Sequence, residues 1–406
     1  MSIYIIRPKA NVAARSLVLH SRKLAAASRS VQINEIFSLR MEDPVQHEIG
    51  RWVTDAQDRE VKSITKSEGD TRVSGTTIIE MPDEEAERMR QELPDVVVLR
   101  DGPIELIHPR RAVTAARRKK RISARHLWHL KAIGLEAARE QGFEGSGTGV
   151  TVAVLDTGID PTHPELDGRV AGAYTFDVSQ WEARPMTPSQ DTDGHGTHVA
   201  GLICGKKVGV APGAKVLSGV MIPNRRGRIS DFVLALEWVA TQPEVQIVNM
   251  SAGIPGYLPE MREFVANLMA VGVLLVCATG NEGRNRTRSP GNYIEPVSVG
   301  ATNRRNRVAG FSSGGTLIAD NHQYVVPDLV APGDDVYSSV MGGGYEAWDG
   351  TSMATPIVSG VAALILEKYP GITIDDLVEE LLSTCQDLGQ PADRQGEGLV
   401  QVQAAL

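Results

Sequence analysis

The stretch Gly350-Thr351-Ser352-Met353-Ala354-Thr355-Pro356 places a serine between a glycine-led turn and an apolar run from Ile357 to Leu366. The run predicts a buried helix, with Ser352 at its N-terminus. Backbone N–H groups at that end lack helical partners and the helix dipole is positive, which suits a nucleophile whose attack creates an oxyanion. Since a serine before a helix is more commonly an N-cap, the interpretation depends on the rest of the chain.

Two further stretches supply the other groups that a serine nucleophile needs. Val152-Ala153-Val154-Leu155 reads as a strand buried on both faces, as in a parallel sheet, and Asp156 stands at its carboxyl end. His195-Gly196-Thr197-His198 opens a second run of small residues that predicts a helix. The chain therefore offers an acid, an imidazole and a serine, in an order that matches one of the known catalytic triads.

Six sequence blocks carry a family resemblance. They are DTGID from Asp156, HGTHVAG from His195, NMSAG from Asn249, ATGNEG from Ala278, PDLVAPG from Pro327 and GTSMATP from Gly350. The region from about His126 to the C-terminus thus resembles the subtilisin-like serine proteases. The resemblance implies an α/β fold with three layers and a mostly parallel sheet, and an endopeptidase that works through an acyl-enzyme.

The resemblance also implies the role of each site residue. Ser352 is cast as the nucleophile, His195 as the general base and then acid, and Asp156 as the carboxylate that orients His195. Asn281 matches the side-chain donor of the oxyanion hole, with the Ser352 backbone N–H as its partner. The alternative for Asn281 is an ordinary turn residue.

The first hundred residues are predicted to form a separate unit. Its last part, read as strand, helix and strand with an extended tail, resembles the propeptide of these proteases, which is a small α+β (ferredoxin-like) domain. The predicted elements are strands at Ile3–Ile6, Ile36–Arg40, Gly75–Pro82, Val96–Leu99 and Ile104–Ile107, and helices at Ala13–Ala27 and Asp83–Leu93. The predicted division is a propeptide-like inhibitory domain over 1–108, a linker over 109–125 and a peptidase domain over 126–406. A partner-binding domain is the alternative for the N-terminal unit.

The linker from Arg110 to Arg125 carries many basic residues and no acidic one. A charge run is typical of a solvated linker, where proteolysis concentrates. We expect a zymogen whose N-terminal domain lies in its own cleft until the chain is cut between about His108 and Arg125, by itself or by a trypsin-like protease. The alternative function is a partner-binding protein on the same scaffold, with proteolysis permanently blocked.

Substrate binding is expected to depend on backbone pairing, in which an extended peptide adds a strand to the edges of the cleft. The resemblance maps the two edges to Arg225, Arg226 and Gly227 and to Ser251, Ala252 and Gly253. The adjacent arginines suggest a preference for acidic residues N-terminal to the cleaved bond, against the alternative of a solvated basic loop. Ile229 is predicted to line an apolar subsite. Glu282 and Arg288 both fall near the pocket for the residue before the cleaved bond, so no preference is predicted there.

Composition excludes some partners. The chain has 406 residues, a net charge of −8 and 42% hydrophobic residues. The charge argues against nucleic acid as the main partner, and no apolar run is long enough for a membrane span. Three cysteines form no disulfide framework, and the N-terminus lacks the pattern of a secretory signal. These features predict a cytoplasmic enzyme, with an unusual export route as the alternative, and the resemblance implies that its substrates are polypeptides.

No metal or other cofactor is predicted. Secreted relatives often build a tight calcium site after the helix of the catalytic histidine, but here Lys206 and Lys207 stand where oxygen ligands would be needed. A weaker cation site near Gly291–Pro296 stays open, although the acid that often completes it is Asn303 here. His198 is read as a helix residue rather than a metal ligand. Asp191 and Asp193 are read as residues that shape their loop, with cation binding as the weaker alternative.

Overall fold

The computed structural model describes residues 1–9, 29–109 and 118–405. Its strands, in chain order, are β1 (Ser2–Pro8), β2 (Lys62–Ser63), β3 (Thr77–Met81), β4 (Val96–Arg100), β5 (Pro103–Leu106), β6 (Thr151–Asp156), β7 (Val170–Asp177), β8 (Glu182–Pro185), β9 (Lys215–Val220), β10 (Arg226–Arg228), β11 (Val245–Met250), β12 (Ala252–Pro255), β13 (Leu274–Ala278), β14 (Arg288–Ser289), β15 (Val297–Thr302), β16 (Gly315–Ala319), β17 (His322–Val326), β18 (Leu329–Pro332), β19 (Val336–Ser339) and β20 (Tyr345–Trp348). Its α-helices are α1 (Arg29–Met41), α2 (Pro44–Asp55), α3 (Asp83–Glu92), α4 (Trp128–Ala132), α5 (Leu135–Glu140), α6 (His195–Cys204), α7 (Ile229–Ala240), α8 (Arg262–Ala270), α9 (Thr351–Lys368), α10 (Ile374–Ser383) and α11 (Ala392–Gln395).

An eight-stranded sheet forms the centre of the chain within the described ranges. Its strand order is β18-β15-β13-β11-β6-β9-β7-β8. Neighbouring strands run parallel except β7 and β8, which are antiparallel. Because β6 lies inside the sheet, its carboxyl end at Asp156 is flanked by strands on both sides.

Alternating side chains divide the sheet between two helix layers. Val152 and Val154 belong to a buried cluster with residues of α6 and α9. Ala153 and Leu155, which point to the opposite face, belong to a second cluster with residues of α7 and α8. The sheet is thus covered on both faces, which is why its strands read as continuous apolar runs. This confirms the predicted three-layer α/β fold with a mostly parallel sheet.

Helix α9 confirms the helix predicted after Gly350. Every residue from Thr351 to Ile365 is buried, as the run of small and apolar side chains requires. Ser352 is the second residue of α9, and His195 is the first residue of α6. Both helices therefore present their N-terminal turns, where backbone N–H groups are free, toward one end of the sheet.

The N-terminal unit has its own antiparallel sheet, with strand order β2-β3-β1-β4. Tyr4 and Ile6 of β1 face an internal core that includes Trp52. Ile5, between them, joins the cluster of α7 and α8 together with Ile78 of β3. This small α+β unit therefore packs one face of its sheet against the helices of the larger one.

One predicted strand of this unit is wrong. Residues Ile36–Arg40 lie inside α1, which runs from Arg29 to Met41. Ile33, Ile36 and Leu39 recur at helical spacing, and all three pack in the cluster of α7 and α8. A short apolar run does not distinguish a strand from a buried helical turn. The helix predicted at Ala13–Ala27 lies outside the described residues.

Candidate active site

Asp156 and His195 meet at the carboxyl end of β6, and both side chains are fully buried. Nδ1 of His195 lies 2.8 Å from Oδ1 and 2.9 Å from Oδ2 of Asp156. The backbone N–H of Thr157 also donates to Asp156 Oδ1, at 2.7 Å. Since a carboxylate can only accept, Nδ1 of the neutral ring carries the proton. Nε2 is left to accept one, and it has no hydrogen-bond partner among the residues described.

Ser352 is fully buried at the start of α9. Its Oγ donates to the carbonyl oxygen of Ile107 at 2.8 Å. The carbonyl of Ser251 lies at 3.5 Å from the same Oγ. The structure therefore brings Ser352 into contact with the N-terminal unit, at the point where its last strand ends.

Asn281 is held by the first residue of α9. Its Oδ1 accepts from the backbone N–H of Thr351 at 2.9 Å and from the Thr351 hydroxyl at 3.1 Å. These two donors fix the amide orientation and leave Nδ2 to point away from Thr351. Nδ2 donates to the carbonyl oxygen of His108 at 2.8 Å. Asn281 is thus oriented to donate to a carbonyl oxygen in the cleft.

The segment Pro103–Pro109, here called the tail, lies between the two predicted substrate edges. Its strand β5 pairs antiparallel with β10 on one side, where Gly227 opposes Ile104, and with β12 on the other, where Ala252 opposes Leu106. The Ile107 backbone N–H donates to the Ser251 carbonyl at 3.1 Å. The tail therefore adds a strand between the edges, as an extended peptide would.

Ser352 and Asn281 contact different carbonyl groups of the tail. The hydroxyl of Ser352 reaches the oxygen of Ile107, whereas the amide of Asn281 reaches the oxygen of the next residue, His108. The residue after His108 is Pro109, whose nitrogen carries no hydrogen. Burial, with Arg225 and His195 nearby, lowers the pKa of His108. The neutral side chain is therefore favoured while the tail is docked.

The charged residues predicted around the substrate edges separate into pairs. Arg225 forms an ion pair with Asp193, which offsets its charge. Arg226 opposes Glu105 in the β10–β5 register. Arg288 is bound to Glu282, with Nη2 2.7 Å from Oε1, so these two side chains offset each other. Ile229 is buried in the same cluster as Ile104.

His198 has a structural environment. It is fully buried and stacks on Trp348 with ring centroids 4.3 Å apart and planes 3° apart. Its Nε2 bonds to the carbonyl of Glu346 at 3.1 Å. Burial lowers the pKa of His198 to about 3, so the ring is neutral, and it helps to hold β20 against α6.

Contacts outside the tail hold the N-terminal unit on α7 and α8. At the N-terminus of α7, Asp101 accepts from the backbone N–H of Ser230 at 2.9 Å and from its hydroxyl at 2.8 Å. Beyond the C-terminal ends of the helices, Arg29 donates to the carbonyls of Gln242, at 2.5 Å, and Val271, at 3.3 Å. A carboxylate at a helix N-terminus and a guanidinium at a C-terminus both complement the helix dipole.

A third contact is made along α7. The carboxylate of Glu237, buried and belonging to the larger unit, accepts from the backbone N–H groups of Val73 and Ser74. Sequence reasoning did not identify Asp101, Arg29 or Glu237. Their partners lie more than a hundred residues away, so no local pattern could have indicated them.

Neither a clustered metal site nor a membrane span is found in the part of the chain that the structure describes. No group of three or more His, Cys, Asp or Glu side chains could hold a metal ion there, and no helix is both long and apolar enough to cross a membrane.

The two candidate cation regions contain ion pairs. In the region after α6, Lys206 Nζ lies 2.8 Å from Asp167 Oδ2. Glu295, in the other candidate cation region, is paired with Arg262 at 2.7 Å.

Comparison with known proteins matches this geometry to one family. Residues 147–399 match the model of the Subtilase family. The chain is 38% identical over 279 residues to subtilisin E of Bacillus subtilis (strain 168), covering 66% of this chain and 68% of that protein. It is 38% identical over 274 residues to an intracellular serine protease of Paenibacillus polymyxa, with 64% of this chain and 80% of that protein covered. Subtilisin BL of Lederbergia lenta is 37% identical over 285 residues, covering 68% of this chain and 97% of that protein. The chain therefore belongs to the subtilase family and is a serine endopeptidase.

Proposed function

We propose that Ser352, His195, Asp156 and Asn281 carry the reaction. Ser352 attacks the carbonyl carbon of the substrate while His195 Nε2 takes the hydroxyl proton, and His195 returns that proton to the leaving amine. Asp156 holds the ring in the tautomer that leaves Nε2 free, and it stabilises the imidazolium. Asn281 Nδ2 donates to the oxyanion. Water then hydrolyses the acyl-enzyme by the same steps, with His195 again as base and then acid.

We further propose that residues 1–108 form an inhibitory domain and that the chain is made as a zymogen. One observation carries this proposal: the tail fills the site between the substrate edges and contacts both Ser352 and Asn281. A polypeptide substrate cannot pair with the same edges while the tail does. The contacts of Asp101, Arg29 and Glu237 add affinity outside the cleft.

The docked tail is also a poor substrate. Attack at Ile107 would develop charge on the Ile107 oxygen, but Asn281 donates to the His108 oxygen instead. Cleavage after His108 would require expulsion of the Pro109 nitrogen, a tertiary amide whose ring fixes the backbone. Both features favour a tail that stays intact in its own cleft, so inhibition continues until the chain is cut beyond it.

Processing is proposed between His108 and Arg125, by the enzyme itself or by a trypsin-like protease. Residues 110–117 of this segment lie outside the described residues. Arg118 donates to the carbonyls of Met341 and Gly343, and Lys119 pairs with Tyr345 through two backbone hydrogen bonds of 2.8 Å each. Backbone that is paired resists proteolysis, so the cut is expected before Arg118.

The test of processing is the intact mass of the purified wild type beside Ser352→Ala. If the enzyme removes its own N-terminal domain, the wild type is shorter and Ser352→Ala is full length. If both shorten alike, another protease makes the cut. A wild type that stays full length while it hydrolyses other polypeptides contradicts the maturation proposal. A full-length wild type that hydrolyses nothing and whose Ser352 stays unreactive would instead favour the partner-binding alternative.

We propose that activity needs no bound metal ion. The amine of Lys206 stands in the loop where secreted relatives often place calcium ligands, and Glu295 is already paired with Arg262. Treatment with EDTA is therefore expected to change peptide hydrolysis by less than about twofold, because no oxygen-rich cage would be emptied. Melting temperature with and without EDTA is the control. Loss of activity in EDTA that calcium restores would contradict the proposal.

The proposed location is the cytoplasm. The similarity to the intracellular serine protease of Paenibacillus polymyxa supports it. So do Cys204, Cys277 and Cys385, which are free thiols, since free thiols persist in a reducing compartment. The proposed substrates are polypeptides, and the N-terminal domain is proposed as the partner that the cleft binds in cis.

A further inference from the structure

The docked tail indicates which substrates the cleft accepts, an inference that rests on the proposed function. Ile104, Leu106 and Ile107 are buried to 1% exposure or less. Glu105, between them, keeps a side chain that is 57% exposed. The tail therefore occupies three apolar positions and one charged position. The Ser352 hydroxyl contacts the Ile107 carbonyl, whereas Asn281 contacts that of His108. In a substrate, the residue in the place of Ile107 is taken as the one that becomes the acyl group, with its carbonyl oxygen moved within reach of Asn281.

Two arginines flank Glu105 from opposite edges of the cleft. Arg226 is its direct partner in the antiparallel β10–β5 register, and directly opposed residues carry their side chains on the same face. From the other edge, Nη1 of Arg288 lies 3.8 Å from Glu105 Oε2. Gly253, which opposes Glu105 in β12, has no side chain. The Cβ of Arg288 lies 3.1 Å from the position that a Cβ would take at Gly253. A side chain there would crowd Arg288, so glycine leaves room for Arg288 to approach Glu105.

Contacts within the larger unit hold Arg288 in place beside Glu105. Its guanidinium is bound by Glu282 Oε1, at 2.8 Å from Nε, and by the Gly253 carbonyl, at 3.2 Å from Nη1. Its side chain is 14% exposed, so little rotamer freedom is left to lose. Glu282 offsets much of its charge, but Arg226 adds a second cation on the opposite side. Arg225 contributes little, because Asp193 pairs with it.

We propose that Arg226 and Arg288 form a subsite for an acidic residue, two positions N-terminal to the residue that forms the acyl-enzyme. The substrates are then extended peptides of the pattern apolar, acidic, apolar, apolar, cleaved after the last of these. Selection comes from attraction of a carboxylate and from repulsion of lysine or arginine. The same subsite recognises the protein's own tail through Glu105.

The test compares three internally quenched peptides that differ at one position. Each contains Ile-X-Leu-Ile followed by Ser-Ala, with Glu, Gln or Lys at X. The enzyme is expressed from the full-length gene and is assayed after its cleft has opened. Each rate is divided by the concentration of active sites, which is measured by titration with a fluorophosphonate. The expected kcat/KM is about threefold higher for Glu than for Gln and about tenfold higher than for Lys, as for partly exposed ion pairs. High salt should reduce both ratios.

Two arginine variants test whether Arg226 causes the preference for glutamate. Arg226→Glu is expected to remove or invert the preference for Glu over Lys, while Arg184→Gln, an exposed arginine paired with Glu182 on another surface, keeps it. Equal rates for Glu, Gln and Lys in the wild type would overturn the subsite and leave the endopeptidase intact. An unchanged preference in Arg226→Glu would also overturn it. If no peptide is hydrolysed in a Ser352-dependent way, the proposed function fails instead.

Discussion

Ser352→Ala is expected to abolish peptide hydrolysis, with kcat lower by about 10⁶, the loss known for the corresponding change in subtilisin of the same family. The hydroxyl at the start of α9 is the proposed nucleophile, and alanine offers no atom that can form the acyl-enzyme. His195 and Asn281 can still orient a substrate, so binding of peptides is expected to change far less than kcat. The measurement is hydrolysis of a fluorogenic peptide per mole of folded protein.

The matched control is Ser359→Ala, seven residues further along α9. That hydroxyl is buried and bonds to Asn249 Oδ1 at 3.0 Å, so its loss removes one hydrogen bond without touching the cleft. It is expected to keep hydrolysis within about threefold of the wild type, after allowance for a stability loss of about 1 kcal/mol. If Ser352→Ala kept a tenth of the wild-type activity, Ser352 would not be the nucleophile.

Leu106→Asp is expected to open the cleft of the full-length chain. Leu106 is 1% exposed in the middle strand between β10 and β12. An aspartate there must either bury an unpaired carboxylate, at about 3 kcal/mol or more, or leave the cleft. A difference of that size corresponds to roughly 100-fold in the docking equilibrium. The measurement is the rate at which a fluorophosphonate probe labels Ser352, and the expected increase is about 100-fold.

Val31→Asp serves as the control for Leu106→Asp. It also replaces an aliphatic side chain of the N-terminal unit by a carboxylate, but at a position that is 50% exposed. It should leave the labelling rate unchanged, because Val31 is not part of the tail. Circular dichroism and melting temperature show whether each variant is folded. If Leu106→Asp is folded and labels no faster than the wild type, the tail is not what limits access to Ser352.

The sequence predicted the elements that hold the proposed catalytic residues, because the signals of these elements are local. A strand buried on both faces ends at Asp156, and a run of small residues follows Ser352, so the strand and the helix could both be predicted. The tail pairs with both of the predicted substrate edges, which stay a prediction.

The sequence did not predict contacts that join distant segments. Arg225 and Arg226 are adjacent, yet one pairs with Asp193 and the other faces Glu105. Nothing in the local pattern separates their roles. In the same way, Asp101 caps a helix that begins well over a hundred residues later. Ile36–Arg40 was predicted as a strand because its few apolar residues fit the spacing of a strand as well as that of a helix. Packing against α7 and α8 stabilises the helix.

The proposed zymogen has one reactive centre in two states, closed by the tail and open without it. The most direct measurement is the rate of fluorophosphonate labelling of Ser352 in full-length and shortened molecules of one wild-type preparation, resolved by intact mass. Shortened molecules from which the N-terminal domain has dissociated are expected to gain the adduct quickly, while full-length molecules gain it slowly. Equal labelling rates in the two forms would contradict the claim that the N-terminal domain closes the active site.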